Sequence, residues 1–392
     1  MPDRPPEPSS FSLVRGGALL RLERLLGRDV FRPTTRAVLG GLVTVVPLVV
    51  LAVAQGVLFG PRVTLPLAYD WTIYVRFLFG LPMLLIAEEP IDFRLAMAVR
   101  YLRTSGLVQD RARPRFERAI QELEHSRDSL FPETVLLVGA VALAWFSTRH
   151  VLGLSASNWQ ALTPGDESSV TWAGRWLDLV SLPFLQFLIF RWLWRLGLWS
   201  RLLMRVARLD LVLIPTHPDR AGGLGYLGEA HTVLGVFLVP VSAVMASRAL
   251  QSVQSGAASL ASLKGPLVGW AVLALVITLG PLMVFVPKLL AARRQGLDDY
   301  GALAIEYTQG FDKKWVRQGR PSETDLLGAS DIQSLADLSN SFAIIDAMRI
   351  TPPNLRNAAS LLAAALLPIL PLLAAVVPVE VILKQIAQLV AR

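Results

Sequence analysis

The chain contains 392 residues, of which 53% are hydrophobic and 17% are charged, and its mean hydropathy is +0.49. Typical soluble domains carry about a quarter charged residues, so the composition excludes a set of ordinary soluble domains and indicates a multi-pass membrane protein. The chain has no cysteine, which excludes disulfides, thiolate metal ligands and a cysteine nucleophile. The net charge of +8 comes mainly from arginine, and membrane topology explains it more simply than nucleic-acid binding does.

Seven stretches of the chain are long and apolar enough to cross a membrane, which requires about 20 largely apolar residues. We therefore predict an all-α, polytopic fold. The predicted transmembrane helices are residues 38–59, 69–88, 132–152, 176–198, 231–252, 265–287 and 356–378.

Arginine and lysine are concentrated in alternate connections between these spans. Seven, eight, four and eight of them lie, respectively, in residues 1–37, 89–130, 199–230 and 288–355. The intervening connections hold one each: Arg62, Arg175 and Lys264. Positively charged connections stay in the cytoplasm, so we predict a cytoplasmic N-terminus and an external C-terminus.

The connections divide the chain into eight predicted segments. Residues 1–37 comprise a disordered tail and an amphipathic helix that lies on the membrane surface, over residues 11–28. The other segments are spans one and two (38–88), a cytoplasmic helical segment (89–131), spans three and four (132–198), a cytoplasmic turn (199–230), spans five and six (231–287), a second cytoplasmic helical segment (288–355), and span seven with an amphipathic tail (356–392).

Both cytoplasmic helical segments are amphipathic. The first carries a narrow apolar stripe formed by Phe116, Ile120 and Leu123. Apolar residues of the second recur at intervals of three and four: Leu335, Leu338, Phe342 and Ile345. This seam is too short to predict a coiled coil. Docking of the second helix on the cytoplasmic layer and pairing between subunits both stay open.

The turn between spans four and five contains PTHPDRAGGLGYLG, residues 215–228, which matches two known signatures. HPD is the tripeptide of J-domain co-chaperones, and GLGYLG fits the glycine pattern of dinucleotide-binding folds. Both matches fail because a membrane span on each side leaves no room for a J-domain or a βαβ unit. The remaining interpretations are a packed membrane-surface turn, or a ligand contact through His217, Asp219 and Arg220.

THPDRAGGLGYLG, together with SDIQSLADLSNSF at residues 330–342, resembles the paired signatures of an uncharacterised family of bacterial multi-spanning membrane proteins. The resemblance extends from span four through the long cytoplasmic segment. It implies a protein of the bacterial inner membrane and no established activity, so it assigns no catalytic residue.

Charged residues inside the spans are candidates for function, because a charge in the membrane is costly. We predict that Arg76 and Asp178 form an ion pair near the outer face, as a packing tether or as part of a permeation path. Arg191 and Arg195 share one face of span four, either as interfacial anchors or as the wall of a basic cavity that binds a ligand. Glu88 and Glu89, at the inner end of span two, are the candidates to balance their charge.

Two functions are compatible with these features. One is a channel- or transporter-like protein with a basic cytoplasmic vestibule for an anionic solute or phospholipid headgroup. The other is a non-catalytic scaffold or signalling partner that docks proteins through its cytoplasmic helices. An enzyme is a third, weaker hypothesis, because no nucleophile motif, metal site or cofactor site is predicted. The expected partners are the bilayer, anionic phospholipid and a second copy of the chain, with no nucleic acid.

Overall fold

The computed structural model describes residues 11–16, 32–152, 158–163, 169–254, 258–317 and 330–370. Within these ranges the regular structure is helical and no β-strand is formed. We number the helices in chain order: α1 Pro33–Ala54, α2 Trp71–Thr104, α3 Arg113–Arg127, α4 Leu130–Leu152, α5 Trp172–Ala207, α6 Gly225–Val253, α7 Ala261–Arg317, α8 Ser330–Asp346 and α9 Leu355–Ile369.

Five of these helices, α1, α2, α5, α6 and α7, are long and apolar enough to cross a membrane. A sixth candidate is the pair α3 and α4, whose axes bend by 46° at the break between them. The predicted all-helical, multi-pass architecture is therefore confirmed. The number seven stays a prediction, because α9 is shorter than a span and residues 371–378 lie outside the described ranges.

Large apolar side chains cover the outer surface of the spans. Val38 and Val50 on α1, Val138 on α4 and Val268 on α7 are each about 60% exposed. Soluble proteins rarely expose apolar belts of this extent, whereas lipid covers them in a membrane protein.

α2 and α6 pack antiparallel and link the two ends of the helical bundle. Tyr101 stacks on Tyr226 at one end, with ring centroids 4.8 Å apart. Toward the other end, Gly80 of α2 faces Val244 of α6. α4 and α3 pack along α5, and α9 packs against α6 and α7. As the apolar stripe predicts, Phe116, Ile120 and Leu123 of α3 are buried.

The structure differs from the prediction at the ends of two predicted spans, residues 69–88 and 265–287. α2 continues without a break past residue 88 to Thr104, and α7 continues past residue 287 to Arg317. At about 1.5 Å per residue, the 57 residues of α7 measure about 85 Å, far more than the ~30 Å hydrocarbon core. The far half of α7 therefore extends beyond the bundle, where α8 packs along it and half-buries its seam.

The predicted amphipathic helix does not extend over residues 11–16. These residues are non-helical; residues 11–14 are buried, with Leu13 fully inaccessible to solvent, whereas Arg15 is exposed. Polar contacts with side chains of α2 and α5 hold them, and these contacts satisfy backbone groups that a helix would otherwise pair internally. Residues 17–28, the tail 1–10 and the C-terminal tail from 371 lie outside the described ranges.

Candidate functional site

A buried cluster of charged side chains joins four helices. Glu88 of α2 lies at its centre: its Oε1 accepts hydrogen bonds from Arg195 at 2.7 Å and from Arg191 at 3.4 Å, both on α5. Its Oε2 accepts a hydrogen bond from Arg36 of α1 at 3.0 Å. Arg191 also lies 3.6 Å from a carboxylate oxygen of Glu133 on α4. We call these five residues the Glu88 cluster.

Helical spacing produces this arrangement. Arg191 and Arg195 are four residues apart and therefore lie on the same face of α5. The side chains of Glu88, Arg191 and Arg195 are each 3% exposed, so almost no water reaches them. The carboxylates therefore balance the charge of the arginines directly. Among the described residues, the partners of these two arginines are the glutamates of neighbouring helices and backbone oxygens of residues 11–16.

Residues 11–16, which we call the inserted segment, lie directly on the Glu88 cluster. Asp92, one helical turn after Glu88, accepts hydrogen bonds from Ser12 Oγ at 2.8 Å, from Leu13 N at 2.7 Å and from Val14 N at 3.1 Å. A single carboxylate thus binds two successive backbone N–H groups and a hydroxyl. Charge-assisted hydrogen bonds of this kind are among the stronger ones in proteins.

The carbonyl groups of the inserted segment are bound as well. Val14 O accepts a hydrogen bond from Arg195 at 3.0 Å, and Ser12 O accepts one from Arg127 of α3. Phe11 packs against Trp199 with ring centroids 6.3 Å apart. The inserted segment therefore covers the cluster from one side and connects α2, α3 and α5.

Sequence reasoning missed four participants in this region: Arg36, Asp92, Arg127 and Glu133. Only Asp92 left a local signal, because it lies one turn from Glu88 on the same helix face. The others come from helices far away in the chain, and a single sequence carries no period that connects them.

The glycine-rich turn is organised around Asp219. Its Oδ1 accepts hydrogen bonds from the backbone N–H groups of Ala221 at 2.8 Å and Gly223 at 3.2 Å, and its Oδ2 accepts one from Gly225 at 2.8 Å. Burial alone would raise the pKa of Asp219, but these backbone groups and His217 outweigh it and hold the pKa below its usual range. The carboxylate is thus occupied within the turn itself.

The turn also packs tightly against the rest of the chain. A Cβ on Gly228 would lie 2.7 Å from Pro353 Cα, and a Cβ on Gly296 of α7 would lie 2.6 Å from Pro215 Cβ. Gly223 O accepts a hydrogen bond from Tyr101 Oη at 3.1 Å. These contacts support the interpretation of a packed turn that fastens α2 and α7 to the segment before α9.

The ligand residues predicted in the turn do not contact the Glu88 cluster. His217 Nδ1 lies 2.9 Å from Asp219 Oδ1, and Arg220 is exposed with a positive φ of 53°. Along the described ranges, no hydrogen bond or ion pair connects His217, Asp219 or Arg220 with Arg191 or Arg195. The predicted ligand residues therefore separate into two groups.

His231 is a buried core residue. Its Nε2 accepts a hydrogen bond from Trp199 Nε1 at 2.8 Å, so its Nδ1 carries the proton and donates to Thr278 O at 2.6 Å. Both ring nitrogens are thus used in packing α6 between α5 and α7. Across the described part of the chain, no group of three histidine or carboxylate side chains is placed to hold a metal ion.

Arg76 and Asp178 are not joined by an ion pair in the described residues. Arg76 is 5% exposed on α2, and the carboxylate that acts on it electrostatically is Asp70.

A cavity of about 410 Å³ lies between the far half of α7 and α8, away from these groups. Its lining includes Leu303, Tyr307, Phe311, Lys314 and Asp331.

Comparison with known proteins adds no functional assignment. No protein-family model matches the chain, and no curated protein or solved structure matches it. Function must therefore be argued from the residues themselves.

Proposed function

We propose that this protein is a channel- or transporter-like protein of the bacterial inner membrane, and that the inserted segment closes its cytoplasmic end over the Glu88 cluster. The bundle would contain seven spans with the N-terminus in the cytoplasm, as the distribution of arginine between connections predicts. The ligand class would be an anionic solute or phospholipid headgroup.

The observation that carries this proposal is a cluster of five charged groups among four helices, of which four are buried and Arg36 is 13% exposed. A buried ion pair contributes little net stability, because desolvation of both charges offsets their attraction. Ionisable groups inside spans instead commonly line pathways for ions and solutes. Arg36, Glu88 and Arg195 tie three helices together, so separating these helices would expose a charged passage.

The inserted segment supports the same proposal. Irregular backbone at membrane depth is stable only where protein buries it or water reaches it. Here Asp92, Arg127 and Arg195 bind the backbone of the segment, and they would become accessible if it left. In this proposal the segment acts as a plug.

Efflux from liposomes tests this function. The full chain is reconstituted into liposomes loaded with chloride or inorganic phosphate, and efflux is compared with that of a variant lacking residues 2–16. We expect low efflux from the full chain and an increase of about tenfold or more from the truncated one, because removing a plug leaves the passage hydrated. A variant lacking only residues 2–10 keeps the inserted segment and should match the full chain. A truncated variant that unfolds cooperatively yet conducts neither anion would refute the proposal.

A second function, a docking scaffold, is favoured by the far half of α7. Leu303, Ile305 and Val316 there, and Ile332 on α8, are between 41% and 67% exposed although this hairpin extends beyond the bundle. Exposed apolar residues outside the membrane favour a protein contact. Leu303→Asp with Ile305→Asp should abolish self-association in nanodiscs if the partner is a second copy. Mass photometry would measure this, and an unchanged oligomeric state would count against pairing.

A further inference from the structure

Arg76 on α2 is a buried cation. It is 5% exposed, yet within the described ranges its guanidinium makes no hydrogen bond and no ion pair. It lies in the segment Val75–Gly80, where α2 widens into π-helical turns. Such turns are rare and occur frequently at functional sites.

The environment makes an unpaired guanidinium unfavourable. A charge moved from water into an apolar interior loses its hydration and needs a counter-charge in return. Arg191 and Arg195, which are equally buried on α5, follow this rule through Glu88. Arg76 lies 12 residues before Glu88, about 18 Å along the helix, so that carboxylate cannot serve it.

A second cation lies close to Arg76. α2 and α6 are antiparallel and meet where Gly80 faces Val244, at 2.8 Å from the position of a Cβ. Arg76 lies one helical turn before Gly80 on α2, and Arg248 lies one helical turn after Val244 on α6. Because the two helices are antiparallel, both arginines lie one turn away from this contact on the same side of it. The two arginines consequently repel each other electrostatically. Arg248 is exposed and has no ion pair in the described residues.

Asp70 does not neutralise this pair of cations. Its Oδ1 accepts hydrogen bonds from Thr72 N at 3.0 Å and from Thr72 Oγ1 at 2.6 Å. Its Oδ2 accepts one from Trp159 Nε1 at 2.9 Å. These bonds fix the carboxylate at the start of α2, and it forms no ion pair with Arg76. Among the described residues, two positive charges therefore face one carboxylate, and its hydrogen bonds hold that carboxylate at the start of α2.

We propose that Arg76 and Arg248 bind a small phosphoryl oxyanion between α2 and α6, either inorganic phosphate or the phosphate of a phospholipid headgroup. Each guanidinium presents a planar fork of donors that matches phosphate oxygens. Two such groups supply the charge that a hydrogen phosphate dianion needs. The buried Arg76 anchors the anion, and the exposed Arg248 closes the site from the solvent side. The proposed anion site is independent of the proposed transport function. Equilibrium binding tests it without any transport assay.

Equilibrium dialysis of the full-length protein in detergent, with radiolabelled inorganic phosphate, measures the affinity. Ionic strength is held constant with sodium gluconate. We expect Arg76→Gln to weaken binding about tenfold or more, and Arg248→Gln to weaken it less, because solvent screens the exposed charge. Arg175→Gln removes an exposed arginine at the start of α5 and should bind phosphate like the unmodified protein.

Thermal unfolding distinguishes an anion site from a structural tether. In phosphate-free buffer, Arg76→Gln should unfold at the same temperature as the unmodified protein or higher, because it removes an unpaired buried charge. Added phosphate should raise the unfolding temperature of the unmodified protein but not that of Arg76→Gln. A structural tether predicts the opposite: destabilisation by Arg76→Gln and no effect of phosphate on either protein.

Lipid nanodiscs separate the two sources of the anion. If inorganic phosphate binds in detergent, the ligand is a free solute. If phosphate does not bind but phosphatidylglycerol nanodiscs stabilise the protein more than phosphatidylcholine nanodiscs, and only when Arg76 is present, the ligand is a headgroup. The proposal is overturned if neither ligand has an effect, or if Arg76→Gln responds like the unmodified protein.

Discussion

Replacing Asp92 by Asn should release the inserted segment while leaving the helices in place. The carboxylate accepts three hydrogen bonds from Ser12, Leu13 and Val14, and it is 8% exposed in the folded chain. Asparagine keeps one acceptor oxygen, so two of these bonds lose their charge and the bond from Ser12 loses its acceptor. At ~1.5–3 kcal/mol for each bond to a charged group, we expect a loss of about 3 kcal/mol. The ratio of seated to released segment should fall about 100-fold.

Trypsin cleavage after Arg15 measures the released population. Where the segment opens and closes faster than trypsin cleaves, the cleavage rate follows the equilibrium population of the open form. Intact mass of the protein in nanodiscs reports the loss of residues 1–15. Glu89→Gln removes an exposed charge from the same helix and should leave the rate unchanged. Equal cleavage of Asp92→Asn and the unmodified protein would show that Asp92 does not hold the segment.

Three further predictions concern stability in detergent, followed by tryptophan fluorescence. Glu88→Gln should destabilise the fold by roughly 3–5 kcal/mol, because it removes the central negative charge that balances the buried Arg191 and Arg195. Gly228→Ala should lower the unfolding temperature, because its Cβ would lie 2.7 Å from Pro353 Cα, whereas Gly265→Ala meets no atom within 4 Å and should not. Asp219 has a lowered pKa, so its stabilisation is present above its unfolded pKa of about 3.9 and is lost as pH falls through the lower folded value. The Asp219→Asn variant has no carboxylate at this position that could be protonated. Between about pH 4 and pH 2 its free energy of unfolding should therefore fall less than that of the unmodified protein.

Local sequence patterns predicted the spans and the packing stripe of α3, because hydrophobic length and helical periodicity are properties of neighbouring residues. Five predicted spans overlap α1, α2, α5, α6 and α7. The same patterns could not show where α2 and α7 end, since a helix leaves the membrane without breaking when its next residues also favour helix.

The charged centre was only partly predictable. Arg191, Arg195 and Glu88 were recognisable as charges near span ends, but their arrangement around one carboxylate depends on how the helices pack. The inserted segment was the most difficult to predict. Phe11, Leu13 and Val14 resemble the apolar face of an interfacial helix, and residues about 80 or more positions away, Asp92, Arg127 and Arg195, hold the segment in a non-helical form.

The length of α7 has a mechanical consequence. Its regular α-helical course is interrupted by the tighter turns Gly280–Phe285, and the 32 residues from Val286 to Arg317 form an arm of about 48 Å. If those turns act as a pivot, a tilt of about 10° displaces the far end of the arm by about 8 Å. With such a pivot, the length of the arm would amplify a small rearrangement near Thr278 and His231 into a larger displacement at its far end.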